Sequence, residues 1–411
     1  MNILYNSAIQ LYRFGVGIAS HWHHKAHLMV QGQKNTFPIL AQTLNSDDRP
    51  VWVHAASLGE FEQGRPLIEK IRREFPKKKI VLTFFSPSGY EVRKNYNGAD
   101  VVCYLPFDTS HNAKLFVDTL NPCLAIFVKY EFWGNYLEML RRRHIPTAIV
   151  SAIFRPEQIF FRSYGGVFRQ MLRTFNAGIF VQDTASQEIL AQIGVKSTIA
   201  GDTRFDRVSD ILAAAKDFAN IASFTAGHKV LVSGSSWEPD EDIAMDFINT
   251  HRDWKVIIAP HEFDGDRLPK LMKKLKRKTV RYSTLQPDET IDADVLIIDC
   301  YGILSSCYRY GTVAYIGGGF GVGIHNINEA AVYGMPVLFG PNFHKFKEAR
   351  DLKGLGGAIC VRNAADFTAT LDGFAQDGER LSETGQICAD YIKRNIGATD
   401  KILSAVRGYI K

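Results

Sequence analysis

From Ile316 the chain reads Ile-Gly-Gly-Gly-Phe-Gly-Val-Gly-Ile-His-Asn-Ile-Asn-Glu-Ala-Ala, followed by Gly334-Met-Pro-Val-Leu-Phe-Gly-Pro341. A strand feeds a glycine-dense turn, and the spacing predicts a helix opening near His325. Glycines let backbone approach a ligand closely, and a helix start offers unpaired N–H groups to an anion. On this reading Gly318, Gly319, Gly321 and Gly323, with His325 and Asn326, hold a phosphate. Glu329, one turn further on, accepts hydrogen bonds from ribose hydroxyls. Two common nucleotide motifs are excluded. A GxGxxG fingerprint starting at Gly317 or Gly319 requires glycine where Val322 or Ile324 stands, and no GxxxxGK[ST] occurs. Ser235 and Ser236, after the strand-like Val230–Ser233, add hydroxyl or backbone donors.

A second stretch, Trp52-Val-His-Ala-Ala-Ser-Leu-Gly-Glu-Phe-Glu62, ends a strand in small residues. Ser57, Gly59 and Glu60 then fall where strand turns into helix. Glu60 suits either a helix-start carboxylate stabilised by the macrodipole or a catalytic acid or base.

The elements that must carry these residues alternate strand-like and helix-like, which argues α/β with parallel sheets. Strand-like runs include 51–54, 79–83, 124–128 and 147–150, then 229–233, 255–259, 295–298, 313–316 and 336–339. Helical patterns include 64–75, 90–96 and 136–143, and an alanine-rich helical stretch occupies 206–226. Two Rossmann-like domains facing a cleft are expected. The predicted division is an N-terminal segment at 1–46, a first Rossmann-like domain at 47–206 and a linker at 207–228. A second Rossmann-like domain at 229–395 follows, and then a C-terminal helix at 396–411 returning toward the N-terminal domain. Ligands in such sheets bind beyond the carboxyl ends of the strands.

Composition narrows the class. With 411 residues, 46% hydrophobic and 22% charged, the chain is globular and long enough for two domains. Its net charge of +6 is gathered in runs such as Arg141-Arg142-Arg143 and Lys273–Lys278, which suit phosphate-bearing partners or an anionic membrane surface rather than nucleic acid. The six cysteines show no metal-like spacing and read as reduced core residues. The first 22 residues are too polar for a spanning helix. As a helix they place Leu4, Leu11, Tyr12, Ile18 and Trp22 on one face, with Asn6, Gln10 and Arg13 opposite. That pattern fits an interfacial helix or one packed on the protein's own core. No cofactor and no metal site are expected.

His54-Ala-Ala-Ser-Leu-Gly-Glu60, Thr83-Phe-Phe-Ser-Pro-Ser-Gly89, Glu131-Phe-Trp133, Gly201-Asp-Thr-Arg-Phe-Asp206, Ser235-Ser-Trp-Glu-Pro-Asp-Glu241 and Gly317–Ala331 occur in one order. Together with Gly340-Pro-Asn-Phe-His-Lys-Phe-Lys-Glu348 this series resembles the Kdo transferases, in particular their Bacteroidetes-type branch. The resemblance implies a GT-B fold and inverting transfer, without a metal, from CMP-Kdo to a lipid A precursor. It also implies work at the cytoplasmic face of a bacterial inner membrane. The acceptor is then assigned to residues 47–206, the CMP-sugar donor to 229–395 and the membrane to residues 1–46. The acceptor-side candidates are Ser57 and Gly59, Arg65 or Arg204 as contacts to phosphate or the sugar carboxylate, and Glu60, or else Glu131, as the catalytic carboxylate.

Three departures stand out. The family's glutamate soon after the N-terminal helix is missing from Gly32-Gln-Lys-Asn-Thr-Phe-Pro38, and the first acidic residue of the chain is Asp47. Glu-x-Glu-Leu-Trp becomes Lys129-Tyr-Glu-Phe-Trp133, and Pro-Arg-His-Pro-Glu-Arg becomes Pro260-His-Glu-Phe-Asp264. Two alternatives therefore accompany the reading: a GT-B enzyme using another nucleotide sugar, and a catalytically silent nucleotide-binding membrane module.

Overall fold

The short apolar runs pair into two seven-stranded parallel sheets in the computed structural model, which describes residues 3–45, 47–213, 215–286 and 289–410. The first sheet comprises β1 Val51–His54, β2 Ile80–Phe84, β3 Val101–Tyr104, β4 Leu124–Val128, β5 Thr147–Ala152, β6 Gly178–Val181 and β7 Thr198–Ile199. Its order is β3-β2-β1-β4-β5-β6-β7. The second comprises β8 Lys229–Ser236, β9 Trp254–Pro260, β10 Thr279–Arg281, β11 Val295–Ile297, β12 Val313–Ile316, β13 Val337–Phe339 and β14 Ala358–Cys360. Its order is β10-β11-β9-β8-β12-β13-β14.

Each order reverses once, between β1 and β4 in the first sheet and between β8 and β12 in the second. At such a switch point the connections leave in opposite directions and open a crevice beyond the strand ends. Glu60 lies in the first turn of the helix that follows β1, and Glu131 in the loop after β4. Ser235 lies at the end of β8, and the glycine run follows β12.

Helices on both faces bury the central strands, which is why these read as continuous hydrophobic runs rather than alternating ones. β1, β2, β4 and β5 are buried at every residue. Trp52 is fully buried, its ring 5.0–5.8 Å from Phe116, Phe127 and Tyr136.

The chain divides into two compact units, residues 1–206 with 396–411, and residues 207–395. The last helix, Ala398–Val406, lays Ile402, Leu403 and Val406 into the same core as Val51, Val53 and Ile126 of the first unit. Asp206 accepts the amides of Gly397 and Thr399 at the point of return.

Two element boundaries differ from the sequence reading. The helix after β1 spans Leu58–Glu74 and carries Pro66 inside it. Gly64-Arg-Pro66 looks like a helix start, yet Ser57 is the N-cap. The helix expected near His325 is a single turn, Asn328–Ala331. Residues 317–327 are instead a folded loop, in which the amides of Gly321, Gly323 and His325 bond within the loop, that of Gly317 bonds β8 and that of Gly318 bonds Asp240.

Three helices precede β1, at Ile3–Ala19, His24–Lys34 and Thr36–Thr43. The first is apolar on two sides. Tyr5 packs against the core, whereas Ile3, Leu4, Leu11, Phe14 and Ile18 are exposed, Leu4 at 76% and Leu11 at 73%. One side of the helix thus packs on the first unit's core, while another presents apolar side chains to solvent. Among the described residues no helix is long and apolar enough to cross a membrane.

Candidate active site at the two switch points

In the first unit the switch point gathers two carboxylates. Glu60 lies in the first turn of helix Leu58–Glu74, and its Oε2 accepts the Ala56 amide across 2.6 Å. Burial pushes its pKa up to about 7, with the Glu131 charge adding to the rise. The amides of Ala56 and Ser57 and the Lys129 ammonium oppose that shift without cancelling it. A carboxyl group tuned close to neutrality suits proton transfer.

Glu131 follows β4. Lys129, at φ 64°, turns the chain out of the strand, a left-handed conformation that costs a non-glycine residue energy and recurs at functional loops. Glu131 Oε2 accepts Trp133 Nε1–H across 2.6 Å and lies 3.2 Å from His54 Nε2. Trp133 Nε1 is also 3.1 Å from that imidazole nitrogen. Deeper in, His54 Nδ1 and Trp52 Nε1 each lie 2.8 Å from Thr83 Oγ1. A buried polar chain therefore runs from β2 through β1 to the loop after β4, and every link is hydrogen-bonded, as burial requires.

The remaining acceptor-side candidates divide. Ser57 caps the helix with its backbone and makes no side-chain capping bond. Gly59 is exposed, with open space where a Cβ would stand. Arg65 is turned to Glu69, at 2.7 Å, and to the Tyr96 ring. Arg204 is held by the buried Asp202, Nη2 to Oδ2 at 2.7 Å, and Gln63 bonds the same carboxylate. Both arginines thus already have carboxylate partners.

In the second unit a cavity of about 280 Å³ opens beyond β8, β9 and β11, lined by Ser235, His261, Cys300, Tyr301, Ser305 and Glu329, among others. Ser235 sits at φ 51°, left-handed like Lys129. Ser236 does not offer its hydroxyl: it is buried and donates to Glu241 Oε1 at 2.8 Å. Burial raises the pKa of Glu329, against bonding from Asn326 and the charge of Arg207. Trp237, His261 and His325 stack beside the glycine loop, with the two imidazoles 4.4 Å apart and Trp237 Nε1 donating to His325 Nε2 at 3.1 Å. Burial and the neighbouring His261 hold the His325 pKa down.

The glycine loop differs from the sequence picture in which amides it presents. Gly318 N–H donates to Asp240, those of Gly321 and Gly323 to the Gly318 carbonyl, and that of His325 to the Gly317 carbonyl. These amides are taken. The amides of Gly319, Phe320, Val322, Ile324 and Asn326 make no backbone bond within the described residues. Gly319 is glycine for packing, since a Cβ there would stand 2.5 Å from the Gly340 backbone. Asn326 bonds Glu329 across 3.0 Å, which joins the loop to the cavity wall.

Sequence reasoning missed His54, Thr83 and Asp240. Asp240 was visible in Ser-Ser-Trp-Glu-Pro-Asp-Glu; His54 and Thr83 look like ordinary strand residues until the parallel register sets them side by side.

A family model described as 3-deoxy-D-manno-octulosonic-acid transferase (kdotransferase) matches residues 22–207. The 3-deoxy-D-manno-octulosonic acid transferase of Aquifex aeolicus is 26% identical over 346 residues, covering 82% of this chain and 89% of that protein. Its counterpart in Haemophilus influenzae is 24% identical over 379 residues, covering 88% and 87%. Among solved structures, a UDP-GlcNAc 2-epimerase from Neisseria meningitidis bound to UDP-GlcNAc superposes with a TM-score of 0.60 at 13% identity, over 87% of this chain and 100% of that one. That likeness is one of fold, the two-Rossmann GT-B arrangement.

Proposed function

We propose that the chain is a glycosyltransferase of the 3-deoxy-D-manno-octulosonic-acid (Kdo) transferase family, as the match over residues 22–207 and the relatives spanning most of the chain support, and that it transfers Kdo from CMP-Kdo to a lipid A precursor. The observation that carries this reading is Glu60, a carboxyl group tuned to about 7 at the switch point of the first unit. Transfer is a direct, inverting displacement without a metal. The acceptor hydroxyl oxygen attacks the anomeric carbon of Kdo, the bond from that carbon to the phosphate oxygen breaks, and CMP leaves with the electron pair. Glu60 takes the hydroxyl proton. It replaces the glutamate that the family carries in the region of Gly32–Pro38 and this chain lacks.

Donor binding belongs to the second unit. Ser235 and Glu329 line its cavity, and the amides of Gly319, Phe320 and Val322 are the loop's donors to the leaving phosphate. Such preorganised donors act where charge develops. The exposed apolar side of helix Ile3–Ala19 supports peripheral attachment to the cytoplasmic face of the inner membrane, with the acceptor in the same bilayer.

The test is CMP release from CMP-Kdo with a lipid A precursor, combined with mass analysis of the lipid. Product heavier by Kdo units, and its loss in Glu60→Gln, is the expected result. Full activity of that variant removes Glu60 as the base. Donor binding without CMP release from the wild type supports the silent-module reading, which the missing N-terminal glutamate motivates.

A further inference from the structure

The loop that carries Glu131 is tied to helix Ile3–Ala19 by two separate sets of contacts, one at Trp133 and one at the helix start that follows it. The first set is aromatic. The Trp133 ring lies 4.4 Å from Phe85, and Phe85 stacks on Tyr12 of the N-terminal helix at 6.3 Å. Phe107 closes the cluster edge-on to both Tyr12 and Phe85, at 5.9 and 6.0 Å. The second set is polar. Tyr5 Oη donates to Asp108 Oδ2 at 2.6 Å and accepts the Gly134 amide at 2.9 Å. Asp108 also accepts the amides of Asn135 and Tyr136, each at 3.0 Å, and so caps helix Gly134–Arg142, whose N-cap residue is Trp133. Asn135 Nδ2 donates to Asn6 Oδ1 at 2.9 Å.

We propose that Trp133 is a positioning residue through which the membrane-facing helix fixes the orientation of the Glu131 carboxylate. The proposal deepens the transfer reading above and rests on it. Glu131 has three rotatable bonds beyond its backbone, and an exposed glutamate samples many rotamers. Here one oxygen, Oε2, meets both the indole N–H and the His54 edge, so the carboxylate is held by a short charge-assisted bond. Its other oxygen is the one left to face an acceptor hydroxyl, within electrostatic reach of Glu60. Trp133 holds the carboxylate only if its own ring is held, and the ring's support comes from Phe85 and, through it, Tyr12. The same N-terminal helix turns Leu4, Leu11, Phe14 and Ile18 outward, so the group that meets the bilayer also braces the site where a lipid acceptor must react.

Two measurements on the full-length chain decide the matter. Trp133→Phe keeps a ring against Phe85 and removes the N–H; it is expected to lower kcat for CMP release about tenfold or more, with KM for CMP-Kdo unchanged. A purely structural role for Trp133 would move the melting temperature and donor KM together with kcat. Amide hydrogen exchange supplies a second readout that needs no activity. Tyr5→Phe and Tyr12→Leu are expected to speed exchange across residues 131–136, most strongly at Gly134. Unchanged kcat in a folded Trp133→Phe variant, or unchanged exchange in both tyrosine variants, overturns the proposal. A wild type that releases no CMP refutes the transfer reading, while the exchange experiment still decides whether the N-terminal helix braces this loop.

Discussion

Glu131 lies within electrostatic reach of Glu60, and its charge is the largest reason after burial that the Glu60 carboxyl titrates near 7. The two residues arrive on different strands, β1 and β4, which are neighbours only because the sheet order reverses between them. Lys129 adds an opposing charge from the same loop, His54 and Trp133 hold Glu131, and Tyr130 stands close enough to feel the Glu60 charge.

That relationship predicts the acid limb of the pH–rate profile. A base must be ionised to take a proton, so kcat is expected to fall tenfold per pH unit below about 7. Glu131→Gln removes the like charge, and the limb is expected to move to lower pH. A limb that stays in place in this variant means that the titrating base is not Glu60. Rates of CMP release between pH 5 and 9 provide the measurement.

The same shift predicts a stability effect of opposite sense. The Glu60 pKa rises on folding from an ordinary 4.5 to about 7. The folded state therefore favours the neutral acid, and stability is lost as pH rises from the lower value through the higher. Glu60→Gln removes this loss. It is expected to melt at a higher temperature than wild type at pH 8, with the difference shrinking at pH 4.5, while its activity falls by roughly 10²–10⁴. Thermal melts at the two pH values, run beside the CMP-release assay, separate the two effects.

Much of this layout was readable before any coordinates. Buried parallel strands announce themselves as apolar runs, and the motif order placed Glu60, Glu131, Ser235 and the glycine loop at strand ends, where the switch points put them. What stayed hidden was which polar groups were already occupied. Glycine signals that a backbone can bend or approach closely; it does not reveal that the Gly318 amide bonds Asp240 or that Gly319 is wedged against Gly340. Ser236 and its acceptor Glu241 are five residues apart, yet nothing in that spacing distinguishes the pair from two surface residues. His54 and Thr83 needed the register of β1 against β2 to become partners.

The glycine loop gives a sharp contrast between neighbouring positions. At Gly319 a Cβ would stand 2.5 Å from the Gly340 backbone, which no side-chain rotation relieves; at Gly321 the nearest atom is 3.7 Å away. Gly319→Ala is expected to cost about 3 kcal/mol, the upper part of the range for overpacking, and to abolish stabilisation by CMP. Gly321→Ala is expected to keep the fold. Denaturant midpoints with and without CMP test both, and a Gly319→Ala protein as stable as wild type would show that the contact with Gly340 yields easily.

The outward side of helix Ile3–Ala19 makes the last prediction. Leu4, Leu11, Phe14 and Ile18 are exposed at 76, 73, 66 and 43%, and Arg13 is the helix's sole charged side chain. Burying a side chain of this size contributes about 1.5–3 kcal/mol when complete, so even partial insertion of two should dominate attachment. Leu11→Ser with Phe14→Ser is expected to reduce binding to anionic vesicles at least tenfold by sedimentation. Neither residue faces the core, so the melting temperature and the response to CMP should be retained. Activity toward an acceptor embedded in vesicles should fall with the binding, and activity toward a detergent-dispersed acceptor should not. Equal loss in both formats would mean that this side of the helix acts within the protein rather than on the bilayer.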